Sequence, residues 1–396
     1  MNRKKIIVPR STNKKYLALS KSCSLKNLEK PSLYHKEKDE LYQLNQEAFD
    51  FLTLCDGTKR KSDLKGDKEF LEYCFQERLL SLHKKPSKRK IILSKPPKPS
   101  LRYLELQITD KCNLKCRHCY VGKQKNKELK IEKIFDVCEQ FQELQGLRLI
   151  ISGGEPLLHK EFWKFNDSIG RYQFRSILLS NGTLITPQVA RRLKVEEVQI
   201  SIDGMERSHD LLRGWGTFKA SIKGAENILR AGIDLSVATI IHKYNLEDFD
   251  EMERLFRDIG AKDWSVDFPV FTGYFEANPD FFVSPEKGGN FLKYGFGSGL
   301  YQSSGKFACG SHLCAITPDG KVCKCSFFVD HPLGNIYNDK LEECWKRLKH
   351  FRLADLKCRG CEYLKECRGG CRYRALLEGN LMGADPARCA AFGVSL

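Results

Sequence analysis

The sequence predicts an α/β chain in three parts, with a parallel sheet at its centre. Three observations carry that prediction. Six short apolar runs, near 103–109, 147–152, 176–180, 197–202, 235–241 and 264–268, alternate with helical stretches, the pattern of repeated βα units. The first hundred residues differ in kind, with 24 Lys and Arg against 12 Asp and Glu in a chain of formal net charge +17. The stretch from Cys309 onward is dense in cysteine, holding ten of the chain's 17.

Residues 1–85 read as a small front domain. Leu41-Tyr42-Gln43-Leu44-Asn45 precedes a helical run from Glu47 to Cys55 with apolar Phe49, Leu52 and Leu54. Asp56-Gly57 then acts as a helix stop and turn. A second helix is predicted from Phe70 to Leu82, with Leu71, Cys74, Phe75 and Leu79 at helical spacing. Residues 86–100, with Lys88-Arg89-Lys90 and Pro96-Pro97-Lys98-Pro99, read as a basic, Pro-bearing linker.

The central part spans 101–273. Ile131, Ile134, Phe135, Cys138, Phe141 and Leu144 form a core-facing helical stripe. In parallel β/α architectures chemistry gathers just past the C-terminal ends of strands. There the sequence places Cys112, Cys116 and Cys119, then Gly153-Gly154-Glu155-Pro156, Ser180-Asn181, and Ser201 with Asp203. Residues 274–308 are Gly-rich and pattern-poor, a bridge and a candidate substrate-facing loop.

The spacing Cys112-x3-Cys116-x2-Cys119 sets three thiolates on one loop. Three thiolates hold three corners of a [4Fe–4S] cube and leave the fourth iron open to a small molecule. Zinc suits the spacing less, because it takes four ligands in paired spacings. His118, the nearby fourth donor, sits inside the loop beside Cys119.

The tail reads Cys309-x10-Gly320-x4-Cys325, then Cys358-x2-Cys361-x5-Cys367-x3-Cys371, and closes at Cys389. Two structural zinc sites are the rival reading. Thr317-Pro318-Asp319-Gly320 is a turn between Ala315-Ile316 and Lys321-Val322, so a hairpin should bring Cys309 and Cys325 to one metal site. Cys23, Cys55, Cys74, Cys138 and Cys344 fit no ligand spacing and read as buried thiols. The chain is long for a disulfide scaffold. Ile6-Ile7-Val8 is too short for a signal h-region or a membrane span, so the expectation is a cytoplasmic metalloprotein with no membrane partner.

The cysteine loop resembles the signature of the radical SAM enzymes, and Ser152-Gly153-Gly154-Glu155-Pro156 is similar to that family's GGEP element. The resemblance implies an incomplete (β/α)6 barrel, open at the side where a peptide could enter. It implies that the open iron chelates S-adenosylmethionine (SAM). One electron then yields a 5′-deoxyadenosyl radical that abstracts a substrate hydrogen. Gly153, Gly154, Glu155 and Pro156 would receive the SAM amino group. Ser180-Asn181-Gly182-Thr183 resembles the third strand tip. Ser201 and Asp203 resemble the fourth, where a Ser meets the ribose, although turn chemistry also explains both. Arg213 would pair with the SAM carboxylate, a bidentate match for a guanidinium.

The tail is similar, gap for gap, to the SPASM extension of peptide-modifying radical SAM enzymes. That implies two auxiliary [4Fe–4S] clusters. One would use Cys358, Cys361, Cys367 and Cys389. The other would use Cys309, Cys325 and Cys371, with Cys314 as a fourth ligand and Cys323 its rival. Tyr42-x-Leu44-Asn45 and Asp56-Gly57 resemble a PqqD-type winged-helix module, which binds a precursor peptide's leader as an added strand. A nucleic-acid-binding winged helix is the rival, but no aromatic stacking set or recognition-helix cluster supports it.

Together these resemblances imply an oxidoreductase, a maturase that forms a thioether or carbon–carbon crosslink in a ribosomally made peptide. Its electrons would come from a reductant such as ferredoxin or flavodoxin, and its auxiliary clusters would accept the electron left after substrate oxidation or bind a substrate thiolate. The alternatives are a tetrapyrrole modifier with the same tail, a sulfatase-type maturase, and a non-catalytic iron–sulfur carrier. Sulfatase-type enzymes carry Asp directly after the cysteine matching Cys325, where this chain has Ser326. The open-iron loop argues against the carrier.

Overall fold

The computed structural model describes residues 15–301 and 305–395. It divides into two compact units. The first takes residues up to Ser100 together with 142–147 and 173–175, and the second takes the rest.

In the first unit, β1 (Tyr16–Leu19) is followed by an antiparallel meander of β2 (Cys23–Asn27), β3 (Pro31–His35) and β4 (Glu40–Gln43). Then come α1 (Gln46–Thr53), β5 (Asp56–Arg60), α2 (Lys68–Gln76) and β6 (Leu80–His83), and β5 and β6 flank β1 antiparallel. Asn45 caps α1 by accepting from the Ala48 N–H at 2.8 Å, and Asp67 caps α2 by accepting from Phe70 N–H at 2.8 Å. Phe49, Leu52, Cys55 and Cys74 pack with Leu17, Leu33 and Leu80 into one core.

Three expectations change here. The second helix stops at Gln76, because Arg78 turns left-handed at φ +59° and the next residues pair as β6 with β1. Asp56-Gly57 opens strand β5 instead of only ending a helix. Leu54, the C-cap of α1, is exposed and lies outside the core. Residues 86–100 have no regular structure, but the Arg89 guanidinium donates to the carbonyls of Leu19, Ser20, Lys21 and Cys23.

The second unit holds the parallel sheet. β7 (Tyr103–Thr109), β8 (Arg148–Gly153), β9 (Arg175–Ser180), β10 (Glu197–Ser201), β11 (Asp234–Ile240) and β12 (Asp263–Asp267) lie side by side in chain order, with β7 parallel to β8, β9 to β10, β10 to β11 and β11 to β12. β8 and β9 are neighbours by sheet order. Helices α3 (Ile131–Glu143), α4 (Phe162–Ile169), α5 (Pro187–Arg192), α6 (Glu206–Arg213), α7 (Thr217–Arg230) and α8 (Phe249–Asp258) link the strands. β12 is the last strand at its end of the sheet, so the barrel is incomplete. Phe296 pairs with the outer side of β12 at Trp264, and its ring meets the Trp264 indole. That contact covers part of an edge that would otherwise stand open.

At the other end the sheet continues past the barrel. β13 (Leu313–Ile316) pairs parallel with β7, followed by antiparallel β14 (Lys321–Cys323) and β15 (Gly334–Asn335). The β13–β14 hairpin turns at Gly320, φ +85°, as the Thr-Pro-Asp-Gly run predicts. The bridge contributes α9 (Pro285–Gly288), and the tail contributes α10 (Leu341–Arg347), α11 (Leu364–Cys367), α12 (Arg372–Leu377) and α13 (Pro386–Ala391).

Candidate functional site

A cavity of about 730 Å³ opens past the strand ends of the second unit. Cys112, Cys116 and Cys119 line it, together with Gly153, Gly154, Ser180, Asn181, Ser201 and Arg213. Four tail cysteines, Cys309, Cys325, Cys367 and Cys371, line the same cavity. Cys358, Cys361, Cys389 and Cys314 do not border it.

The cysteine loop is held from both sides. The Asp110 carboxylate accepts the N–H groups of Lys125 and Lys127, each at 2.8 Å, and so closes the loop at its base. Asn181 donates to Asn113 Oδ1 at 2.9 Å and reaches Cys112 Sγ at 3.9 Å. The glycine pair is required by close approach. A Cβ on Gly153, at φ +144°, would strike the Thr109 carbonyl, and one on Gly154 would meet the Asp110 carbonyl oxygen at 2.7 Å. Backbone bonds replace side chains there: Gly154 N–H donates to Thr109 O at 2.8 Å and Glu155 N–H to Lys111 O at 2.7 Å.

Glu155 itself is fully buried and does not line the cavity. Its carboxylate accepts from the Ser180 hydroxyl at 3.0 Å and from the Asn181 N–H at 2.9 Å, bracing two strand tips together. Burial pushes its pKa up to about 7 against these donors. Pro156 is buried at the start of a short turn of helix.

Asp203 is likewise fully buried behind the wall, and pairs with Arg213. Its Oδ1 also accepts from Ile240 N–H at 2.8 Å. Burial alone would raise this carboxyl, but Arg213, then His118 and His209, hold it well below the usual carboxylate range. Arg213 carries the pair to the cavity surface, where its guanidinium approaches Cys116 Sγ at 3.9 Å and His118 Nε2 at 3.5 Å. His118 Nδ1 is buried without a hydrogen-bond partner.

Residues outside the expected set also line the site. On β7 the apolar side chains Leu104, Leu106 and Ile108 alternate with Glu105 and Gln107. Glu105 lines the cavity and accepts from the Ser326 hydroxyl, while Gln107 donates to Tyr120 Oη at 3.1 Å. The period-two alternation of 103–109 is the signal for them, with Glu105 and Gln107 set between the apolar positions.

The donor chemistry fits iron–sulfur clusters. All 17 cysteines are free thiols. Burial raises Cys116, Cys371 and Cys389 to about 11, so these thiols ionise at neutral pH only when a bound cation compensates. Among the described residues no three His, Cys, Asp or Glu side chains close on a single ion. A four-iron cube takes one thiolate at each separate corner, so its ligands need no such common point.

Comparison with known proteins agrees with this geometry. The radical SAM superfamily model matches residues 106–256, and the SPASM model, an iron–sulfur cluster-binding domain, matches residues 309–371. The chain is a radical SAM enzyme with a SPASM domain. The AdoMet-dependent heme synthase of Nitratidesulfovibrio vulgaris is 27% identical, over 73% of this chain and 92% of that protein. The mycofactocin maturase MftC of Mycolicibacterium smegmatis is 28% identical, over 73% of this chain and 83% of that protein. Among solved structures, Streptococcus suis SuiB bound to its precursor peptide SuiA superposes with a TM-score of 0.69 at 16% identity, covering 94% of this chain and 99% of that one. Radical SAM chemistry uses an iron–sulfur cluster and SAM, and the loop with Cys112, Cys116 and Cys119 lies inside the matched domain.

Proposed function

We propose that this radical SAM/SPASM enzyme is a maturase of a ribosomally made precursor peptide, introducing a thioether or carbon–carbon crosslink. One observation carries the reading: the radical SAM thiols and the SPASM thiols Cys309, Cys325 and Cys371 border a single cavity. Hydrogen abstraction and removal of the remaining electron then take place beside one bound substrate. Likeness to SuiB, whose structure holds a precursor peptide, and to the maturase MftC supports a peptide as that substrate.

In this reading Cys112, Cys116 and Cys119 hold the SAM-binding [4Fe–4S] cluster, which when bound supplies the electron that cleaves SAM. Gly153 and Gly154 offer bare backbone to SAM, Ser201 stands at its ribose, and Arg213 offers a guanidinium to its carboxylate. Glu155 acts through Ser180 and Asn181 by holding the strand tips. Cys358, Cys361, Cys367 and Cys389 hold one auxiliary cluster. The enzyme works in the cytoplasm with ferredoxin or flavodoxin as electron donor. No described helix is long and apolar enough to cross a membrane.

The test is co-expression of the full chain with the short reading frames adjacent to its gene, followed by mass spectrometry of each peptide. A pair of hydrogens lost per crosslink is expected, and Cys112→Ala should reduce both crosslinking and 5′-deoxyadenosine to background. The similarity to heme synthases favours a second reading, a tetrapyrrole as substrate. Peptides of unchanged mass, with a porphyrin consumed by the same protein, would decide for it.

A further inference from the structure

A lysine is seldom taken out of water without an anion beside it, because an isolated buried ammonium is costly. Lys324 is 6% exposed. It follows Cys323, the last residue of β14, and precedes the cavity thiol Cys325. Its Nζ donates to the Cys309 carbonyl at 2.8 Å and stands 5.4 Å from the centre of the Phe351 ring. Neither of these partners carries a charge. The chain after Cys309 closes tightly on the ammonium: a Cβ on Gly310, at φ +71°, would meet Nζ at 2.7 Å. The foremost charged neighbours of Lys324 are Cys309, Cys325 and Cys371, followed by Arg372, and no carboxylate is among them.

Arg372 repeats the pattern. It is fully buried, and its Nη1 donates to the carbonyls of Leu381 at 3.1 Å and Gly383 at 2.7 Å. Its Nε and Nη2 have no hydrogen-bond partner among the described residues. Two buried cations therefore stand near one another, and like charges so placed repel. The negative charge that offsets them is the thiolate set itself. The other tail set, Cys358, Cys361, Cys367 and Cys389, has a wetter setting. Arg388, the basic neighbour of Cys367, is only half-buried, so solvent screens it.

We propose that Lys324 raises the reduction potential of the cluster held by Cys309, Cys325 and Cys371, and so makes this the set that takes up the substrate's electron. An added electron makes a cluster one charge more negative. A fixed cation beside it in a dry interior stabilises the reduced form more than the oxidised form. The change at the cluster is the gain of one electron, with no bond formed or broken there. That electron is the one left on the substrate after hydrogen abstraction, and the accompanying proton leaves to solvent. The inference thus rests on the proposed oxidation at this cavity. Lys324 does not line the cavity, so it is a positioning residue that acts through the cluster.

The experiment needs no peptide. The full chain carrying Cys112→Ala, Cys116→Ala and Cys119→Ala is reconstituted anaerobically, so that only the two tail sets load, with about eight irons per chain. Redox titration followed by paramagnetic resonance then gives a midpoint for each set. Lys324→Met matches the side chain in length, and Lys324→Gln keeps an N–H donor for the Cys309 carbonyl. Each should lower one midpoint by about tenfold in the reduction equilibrium, or about 59 mV for one electron, and leave the other in place. The midpoint that moves should be the one missing from a Cys309→Ala chain. Lys324→Arg, which keeps the charge, should hold the wild-type value.

An unmoved midpoint in either neutral variant at full iron content overturns the proposal, and so does an equal fall in Lys324→Arg. A shift confined to the set that Cys309→Ala leaves intact overturns it as well. Iron lost from both neutral variants would show that Lys324 holds the site together instead of tuning it, and would also overturn it. Should one of them fail to fold, the midpoint of the other decides. A lowered midpoint combined with unmodified co-expressed peptides would leave the tuning standing and remove the peptide reading instead.

Discussion

Glu155 shows how far single residues could be read from the chain. Its place after the second strand was legible, because glycine pairs and an acid past a buried strand stand out in one dimension. Its orientation was not, because its partners Ser180 and Asn181 lie a full βα unit later. A testable consequence follows from its burial. Burial raises its pKa from the ordinary glutamate value of 4.5 to about 7 in the folded chain, so the fold favours its protonated form. Stability from that proton is complete below about pH 4.5 and is lost as pH rises through about 7, a difference of roughly 3 kcal/mol. Glu155→Gln cannot ionise. In the metal-free chain its melting temperature relative to wild type should therefore climb between those pH values and level off above them. Parallel pH profiles for the two proteins would refute a buried, protonated Glu155. The Asp203–Arg213 pair behaves oppositely, since both charges are buried and matched. Arg213→Leu strands a buried carboxylate, and calorimetry should show a loss of about 3–5 kcal/mol.

At the scale of elements, the six barrel strands were legible to within about a residue or two at most ends. Each carries a core of apolar residues and the six recur at βα spacing, the pattern of a buried parallel sheet. The front strands were missed for the converse reason. They are four or five residues long and carry buried polar side chains, among them Ser24, Lys26 and Ser32, which erase the apolar signature. Lys26 is tolerated because its ammonium donates to the carbonyls of Gly146 at 2.7 Å and Gln173 at 3.1 Å, partners far away in sequence. The bridge looked patternless because its glycines serve packing instead of periodicity. A Cβ on Gly289 would meet Ala390 Cβ at 2.6 Å and the Ala387 carbonyl at 2.7 Å, both on α13, the helix that carries Cys389. Gly289→Val should push α13 outward at a cost of about 1–3 kcal/mol. The holoprotein should then lose about four irons per chain from the set that includes Cys389. A lowered melting temperature with full iron content would show that α13 adjusts without disturbing its cysteine.

Charge is the property of the whole molecule that the sequence states outright and the fold then gives a location. Of the net +17, the first hundred residues hold a disproportionate share. Truncating the front is a poor probe of its purpose. The compact unit it belongs to also includes 142–147 and 173–175, so a deletion strips partners from chain that must remain. Charge reversal is the cleaner probe. β5 is an edge strand of its sheet, with Lys59 and Arg60 exposed near its end. Lysines on a strand edge also discourage edge-to-edge aggregation, so two roles compete for the same side chains. They separate by salt. Attraction for an acidic leader acts through solvent and is screened beyond about 8 Å at physiological ionic strength. If the edge attracts the leader, Lys59→Glu with Arg60→Glu should weaken binding of the peptide identified by co-expression by about tenfold, or about 1.4 kcal/mol, at low salt. The gap to wild type should close as salt rises. If the charges only guard the edge, affinity should be unchanged at every salt concentration while light scattering reports self-association of the variant. Unchanged affinity with no self-association would remove both roles from this edge.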